Sequence, residues 1–259
     1  MGIVLGEDDG CRRLLVVAAH ADDEVLGAGG TLAACVRADN AVRVLILSVS
    51  SLSRDVSETE RERLKSRRMA AAREVADRSG WSLALHDLPD SGFDTVPFVT
   101  IAKLIENEVR RFEPTTVITH YPGDLARDHQ VTAAATATAV RPCGRHLPPA
   151  LIYFEIRSST EWSCDAMRGA FQPSLWSPLS DESWRIKREA LQIYADELRD
   201  WPHPRSLDGI EALARMRGSE IGVARAEAFL LARGVVNCRE SGCSPARRPV
   251  IRRERIARS

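Results

Sequence analysis

The sequence predicts an α/β fold in three layers, a mainly parallel sheet covered by helices on both faces. Three observations carry that prediction. Short runs rich in Val, Ile and Leu recur at 14–19, 42–49, 81–85 and 115–119. Longer stretches with apolar residues at helical spacing separate them, and glycine, proline or small polar residues mark the joins. Strands buried on both faces read as continuous apolar runs, and parallel strands need long crossovers, usually helices.

Residues 14–19 (LLVVAA) are too few for a helix and read as the first strand. After a polar turn and three glycines, 31–37 (TLAACVR) has helical composition and 42–49 (VRVLILSV) is a second β-branched run, which completes a β-α-β unit. Residues 58–78 are charged and alanine-rich, with Leu64, Met69, Ala72, Val75 and Ala76 on one helical face. A third strand at 81–85, an amphipathic helix at 98–112 and a fourth strand at 115–119, just past Pro114, continue the alternation. A fifth strand is expected at 151–154, after the Pro-containing linker 141–149. Such alternation is Rossmann-like. Its crossovers are right-handed, its strand order 3-2-1-4-5 makes the first and fourth strands neighbours, and its ligand crevice opens at the carboxyl ends of the strands.

Beyond residue 156 the pattern is less regular, with Pro173 and Pro178 as breakers and helical stretches at 182–198 and 207–217. Residues 157–236 read as a C-terminal cap on the same domain, and the arginine-rich 237–259 as a disordered tail.

Composition removes several function classes. Lys+Arg 36 equals Asp+Glu 36, so no net charge draws the chain to nucleic acid or an anionic bilayer. No apolar run approaches the roughly 20 residues of a membrane span. The start, MGIVLGEDDGCRR, has acids where a signal peptide has bases, and Gly6 stands where a myristoylation motif needs Ser or Thr. The expectation is a cytoplasmic protein that binds neither nucleic acid nor membrane. The six cysteines, Cys238 and Cys243 in the tail included, show no paired ligand spacing and read as reduced thiols. No motif speaks to oligomeric state.

The chemistry lies in two clusters. Directly after the first strand comes His20-Ala21-Asp22-Asp23-Glu24. Like charges crowded beside a buried strand oppose each other's ionisation, and a cation relieves this. His20 and Asp23 can point at one ion with ligand atoms suited to zinc. After the fourth strand comes a second His/Asp cluster, running from His120 to His129. The strand order brings the clusters to one crevice, so the second can supply a third ligand, leaving a position open for water. Zinc lowers the pKa of its bound water toward about 7, and Asp22 is placed as general base.

The two clusters resemble the sequence blocks of the LmbE-like, or PIG-L, zinc-dependent N-deacetylases. AHADDE followed by LGAGGTLA is similar to their AHPDDE-x-x-x-G-x-x-G block, and HYPGDLARDHQ to their second, which ends in Asp-His. Residues 153–162 (YFEIRSSTEW) and HPRS at 203–206 resemble elements of a bacterial branch. The resemblance implies one zinc per chain, other divalent ions being possible, held by His20, Asp23 and His129. It implies Asp22 as general base and Asp128 as support behind the ligands. The implied reaction removes the acetyl group from an N-acetylglucosamine-containing small molecule or glycoconjugate, with an N-acetylated amino sugar conjugate as the partner. Residues 1–236 would form the deacetylase domain, with 157–236 setting specificity. Two departures stand out. Ala21 replaces the proline of the first block, and Ala126 stands where many members carry a histidine that stabilises the oxyanion. For that task His120 is the first candidate, with His203 or Tyr121 behind it.

Other residues have two readings. Gly27, Gly29 and Gly30 invite a dinucleotide site, hence a nucleotide-binding oxidoreductase or regulatory module, but Leu32 occupies the third glycine's register and an acidic turn repels pyrophosphate. Asp90, Arg68 and Arg54 are substrate-binding candidates or a turn aspartate and solvated arginines. Residues 50–53 are a serine-rich loop that follows the second strand, and His86 and His146 read as surface histidines. Trp162, Trp176, Trp184 and Trp201 offer a sugar-stacking wall or ordinary packing.

Overall fold

The computed structural model describes residues 12–50, 56–142, 148–164 and 169–234. The expected tail at 237–259, the cysteines Cys11, Cys143, Cys238 and Cys243, and Arg54, His146 and Ser51–Ser53 lie outside the described residues. Five strands run parallel: β1 (Arg13–His20), β2 (Ala41–Ser48), β3 (Ser82–Leu85), β4 (Thr116–His120) and β5 (Ala150–Phe154). Two more, β6 (Leu175–Pro178) and β7 (Ala226–Arg233), complete a sheet of order β3-β2-β1-β4-β5-β7-β6, β7 being antiparallel to both its neighbours. The first five strands thus have the expected order, and β1 pairs with β4 in the register Val17↔Thr119.

Successive side chains of β1 point to opposite faces. Leu14, Val16 and Ala18 pack with α1 (Asp23–Arg37), α2 (Glu58–Ser79), α5 (Asp181–Ile193) and α6 (Leu207–Ser219). Leu15, Val17 and Ala19 pack with α3 (Phe98–Phe112) and α4 (Arg127–Ala139). Both faces are dry, which is why the sequence reads as an unbroken apolar run; each buried Val or Leu contributes about 1.5–3 kcal/mol.

Three elements differ from expectation. Helix α1 starts at Asp23, so the glycines lie inside it rather than before it. Glycine inside a helix costs about 1 kcal/mol against alanine, but here close packing decides. A Cβ on Gly27 would sit 2.5 Å from Phe154 Cδ2, and one on Gly30 2.7 Å from Leu179 Cδ2. The stretch after 156 does more than cover the domain, because β6 and β7 join the sheet. The run AEAFLLAR of β7 is made of helix formers, and its pairing with β5 and β6 overrides that preference. A buried ion pair ties the region in: Glu227 accepts from Lys187 Nζ (2.6 Å) and from the N–H groups of Gly30 (3.0 Å) and Thr31 (2.7 Å). Among the described residues no helix is long and apolar enough to cross a membrane.

Candidate metal centre

The carboxyl ends of β1 and β4 deliver His20 and His120 side by side, and the chain then enters α1 and α4 within a few residues. Asp23 is the first residue of α1, and Asp128 and His129 lie in the first turn of α4. Carboxylates are favoured there by the helix dipole. Asp22, between His20 and the helix, has φ 120° and ψ −29°, a conformation that costs a non-glycine residue about 1–3 kcal/mol. Neighbours hold it. Its carbonyl accepts from Val25 and Leu26 N–H (3.0 and 2.9 Å), and its N–H donates to Glu24 Oε2 (3.1 Å). Glu24 in turn accepts from Tyr194 OH at 2.7 Å. The strained turn splits the acids: Asp23 faces the histidines, and Asp22 faces a cavity.

His20 Nδ1 and His129 Nε2 each lie 3.4 Å from Asp23 Oδ2. Ligand atoms about 2.1 Å from a tetrahedral zinc ion stand about 3.4 Å apart. The three residues therefore fit a shared ion in spacing as well as in donor type. Asp23 Oδ1 adds a second sign: it is buried without a hydrogen-bond partner among the described residues. His120 Nε2 is equally near Asp23 Oδ2, at 3.4 Å, but its lone pair accepts the Ala19 N–H at 2.9 Å. It is no ligand.

Each of these two candidate ligand histidines has a carboxylate on its other nitrogen. His20 Nε2 donates to Asp128 Oδ2 at 3.0 Å, and His129 Nδ1 lies 3.1 Å from Asp124 Oδ1. Such partners fix ring orientation and raise ligand basicity. They are themselves anchored. Asp128 accepts from Ser91 N–H (2.7 Å) and Phe93 N–H (3.0 Å); Asp124 accepts from Thr160 Oγ1 (2.6 Å), Ala126 N–H (2.9 Å) and the Ser159 hydroxyl.

The electrostatics follow. Burial opposes charge on His20, but the Asp128 and Asp23 carboxylates outweigh it and push the imidazole up to about 10. His129 rises to about 9 against its burial, mainly through the charge of Asp23. Burial would raise Asp23, yet the charge of His129 and hydrogen bonds from His129 and His20 hold it well below the ordinary range. Asp22 goes the other way: burial raises it to about 7, with the Arg205 charge pulling against the rise. His120 is held neutral, far below its usual value, by burial and by the adjacent His129.

A cavity of about 470 Å³ opens over this centre, and His20, Asp22, His129, Asp90 and Arg68 all reach it. Asp90 Oδ1 is 3.4 Å from His20 Nε2 and its Oδ2 3.7 Å from Arg68 Nη1. Three expectations are corrected. His120 is fully buried, stacked at 4.0 Å on His129 and edge-on to Phe154, and does not line the cavity. A donor to a reacting carbonyl must face the cavity, and His120 faces the core. Tyr121 is directed elsewhere too, donating to the carbonyls of Gly169 and Ala170. His203 also stays outside the lining; its Nδ1 accepts the Arg205 N–H at 3.0 Å and its ring meets Trp162 edge-on. Of the tryptophans, Trp162 lines the cavity while Trp184 is core.

Sequence reasoning missed Asp124, Glu197 and Arg205. Arg205 Nη1 lies 3.2 Å from Asp22 Oδ2, and Glu197 pairs with Arg68 at 2.8 Å. Asp124 sat within the second cluster, and its place five residues before His129 was the available signal. For Arg205 the signal was its place in HPRS, while Glu197 carried none; both meet the site only through the packing of α5 and α6. The glycines of α1 face Phe154, Lys187 and Leu179, so they offer no cradle for a pyrophosphate.

Known proteins resemble this chain in sequence and in fold. The family model described as GlcNAc-PI de-N-acetylase (PIG-L) matches residues 15–140. Among curated proteins, none matches significantly. Solved structures do. N,N'-diacetylchitobiose deacetylase from Pyrococcus horikoshii superposes with a TM-score of 0.69 at 17% identity, covering 88% of each chain. The A40926 pseudoaglycone deacetylase Dbv21 gives 0.68 at 21% identity, covering 88% of this chain and all of its own. GalB, the 4-carboxy-2-hydroxymuconate hydratase from Pseudomonas putida KT2440, gives 0.72 at 20% identity over 89% of this chain and 100% of its own. At such identities the likeness establishes the fold alone, an α/β fold shared by deacetylases and a hydratase. The chain thus carries, over residues 15–140, a domain of the PIG-L (LmbE-like) family.

Proposed function

We propose that the protein is a metal-dependent hydrolase that removes the N-acetyl group from an N-acetylglucosamine-containing small molecule or glycoconjugate. One observation carries the reading. Two imidazoles, each backed by a buried carboxylate, stand 3.4 Å from one oxygen of Asp23, while the adjacent Asp22 turns its carboxylate to the same cavity. Binding alone needs no such base. The family match adds support, as does the appearance of deacetylases of acetylated sugars among the structural neighbours.

His20, Asp23 and His129 would hold one divalent ion, with zinc favoured by two nitrogens and one carboxylate oxygen. When bound, that ion supplies Lewis acidity, lowering the pKa of water toward about 7. The remaining work belongs to side chains. Asp22, raised to about 7 by burial, is matched to accept the proton of the attacking water and pass it to the departing amine nitrogen, so that acetamide and water become acetate and amine. Asp128 and Asp124 keep the two imidazoles in fixed orientation. Asp90 and the Arg68–Glu197 pair, on the same wall, are suited to hold sugar hydroxyls. Residues 157–236 contribute Ser159, Trp162, Glu197 and Arg205 to the wall, which supports a role for that stretch in specificity for the group beyond the sugar.

The test is to incubate zinc-loaded protein with a panel of GlcNAc conjugates and assay acetate and free amine. Asp22→Asn should lose about 100- to 10,000-fold in rate while still binding one ion, and chelation should abolish turnover reversibly. One ion bound with no product from any conjugate would refute the reading.

A further inference from the structure

Resting on the deacetylase reading, we propose that Arg205 is the donor that meets the negative charge developing on the acetamide oxygen during hydrolysis. The cavity wall narrows the choice. Both nitrogens of His20 and of His129 face carboxylates. Ala126 presents no polar side chain, its N–H donates to Asp124, and the Ser159 hydroxyl donates to the same carboxylate. Arg68 is committed to Glu197 through Nε and Nη2 (3.0 and 2.8 Å) and to the Ser50 carbonyl through Nη1. Arg199 is exposed and turns Nη1 to the carbonyls of Asp196 and Leu198.

Arg205 differs from both. A guanidinium carries five N–H donors. Arg205 spends Nε on Ser158 Oγ (2.7 Å) and the Arg157 carbonyl (3.4 Å), and Nη1 on Asp22 Oδ2 (3.2 Å). Nη2 donates to no acceptor among the described residues, and the side chain lines the cavity. The backbone beneath it is tied down: its N–H donates to His203 Nδ1, and the next residue, Ser206, caps α6 by accepting from Gly209 N–H at 3.0 Å. A donor fixed before the reaction begins stabilises new charge without reorganisation.

The neighbouring Asp22 carboxylate sets its place in the reaction. The water oxygen bonds to the amide carbon, its proton goes to Asp22, and the carbonyl π pair moves onto oxygen, where an Arg205 N–H donates a hydrogen bond and keeps its proton. The carbon–nitrogen bond then breaks as Asp22 returns the proton to nitrogen, leaving acetic acid and amine, which part as acetate and the protonated amine.

Arg205→Met and Arg205→Lys test this in the full, zinc-loaded chain. Turnover of N-acetylglucosamine aryl glycosides is measured, together with bound zinc and the Kd of a glucosamine N-methylphosphonamidate, a tetrahedral anionic mimic. Arg205→Met should lower kcat about 100-fold or more, leave KM within about threefold and zinc content unchanged, and weaken the mimic by the same factor as kcat/KM. Arg205→Lys should recover part of each loss. Should Arg205→Met fold poorly, Arg205→Lys with Arg205→Ala rescued by added guanidinium ion carries the same comparison. An active wild type whose variants keep kcat and mimic affinity, or lose only KM, overturns the assignment to Arg205. A zinc-loaded wild type without turnover overturns the deacetylase reading, and this proposal falls with it.

Discussion

Two cavities of similar size lie against the sheet and share almost nothing else. One, about 470 Å³, opens at the carboxyl ends of β1 and β4 and gathers two histidines, two aspartates and three arginines. The other, about 520 Å³, lies toward the amino ends of the same strands beside α1 and β6, walled by Leu14, Ile118, Ile152, Trp176 and Phe229. Volume does not distinguish them. The difference comes from what each end of a parallel strand leads into. At the carboxyl ends the chain turns into α1 and α4, whose first turns favour Asp23 and Asp128, and the paired strands bring these helices together. None of the residues walling the second cavity lies in the first turn of a helix.

The sharpest way to break that contrast is Asp23→Ala, which should leave less than about a tenth of an ion per chain and cut turnover more than about a thousandfold. Metal analysis and an acetate assay check it, and retained ion would mean that the wrong residues have been named. Asp124→Ala should be milder. It removes the carboxylate behind His129 without touching a ligand, so metal affinity should fall about 10- to 100-fold in competition with a chromophoric chelator.

Metal uptake also has a predicted pH dependence. Because His20 and His129 are raised to about 10 and about 9, both hold protons in the metal-free protein at pH 7–8. An ion must displace them, so affinity should fall as pH drops below about 9 and level off above about 10. The sign for folding is opposite: the raised values stabilise the metal-free fold fully below about 6.5, and that contribution is lost as pH rises through 9 to 10. Calorimetry in buffers of different ionisation enthalpy should count close to two protons released per ion at pH 7.5, and none released would contradict the geometry. The smallest effect belongs to the other cavity. Trp176→Ala should leave kcat/KM within about twofold, and a larger loss would show that the two ends of the sheet communicate.

How much of this was readable in the chain follows from range. The apolar runs of β1, β2 and β4 signal strands because both faces of each are buried, and His20, Asp22 and Asp23 stand together because three residues of one turn need no fold to bring them close. The start of α1 was misread because glycine is a poor helix former, and only Phe154 and Leu179, pressed against Gly27 and Gly30, explain why it is used. The role first given to His120 was misplaced for a related reason. Its position at the end of β4 says that it is near the site, while the Ala19 N–H and the His129 ring decide which way it faces.

Local pattern and the connection rules of parallel strands were enough to order the first five strands and to place the two clusters with the donor types they offer. Only the packing of the fold sets which nitrogen faces Asp23, which acid backs each imidazole, and that Arg205 reaches Asp22 across 183 positions of chain. Such contacts depend on the packing of helices and of two late strands against the sheet, and no local pattern of residues encodes a distance of that kind.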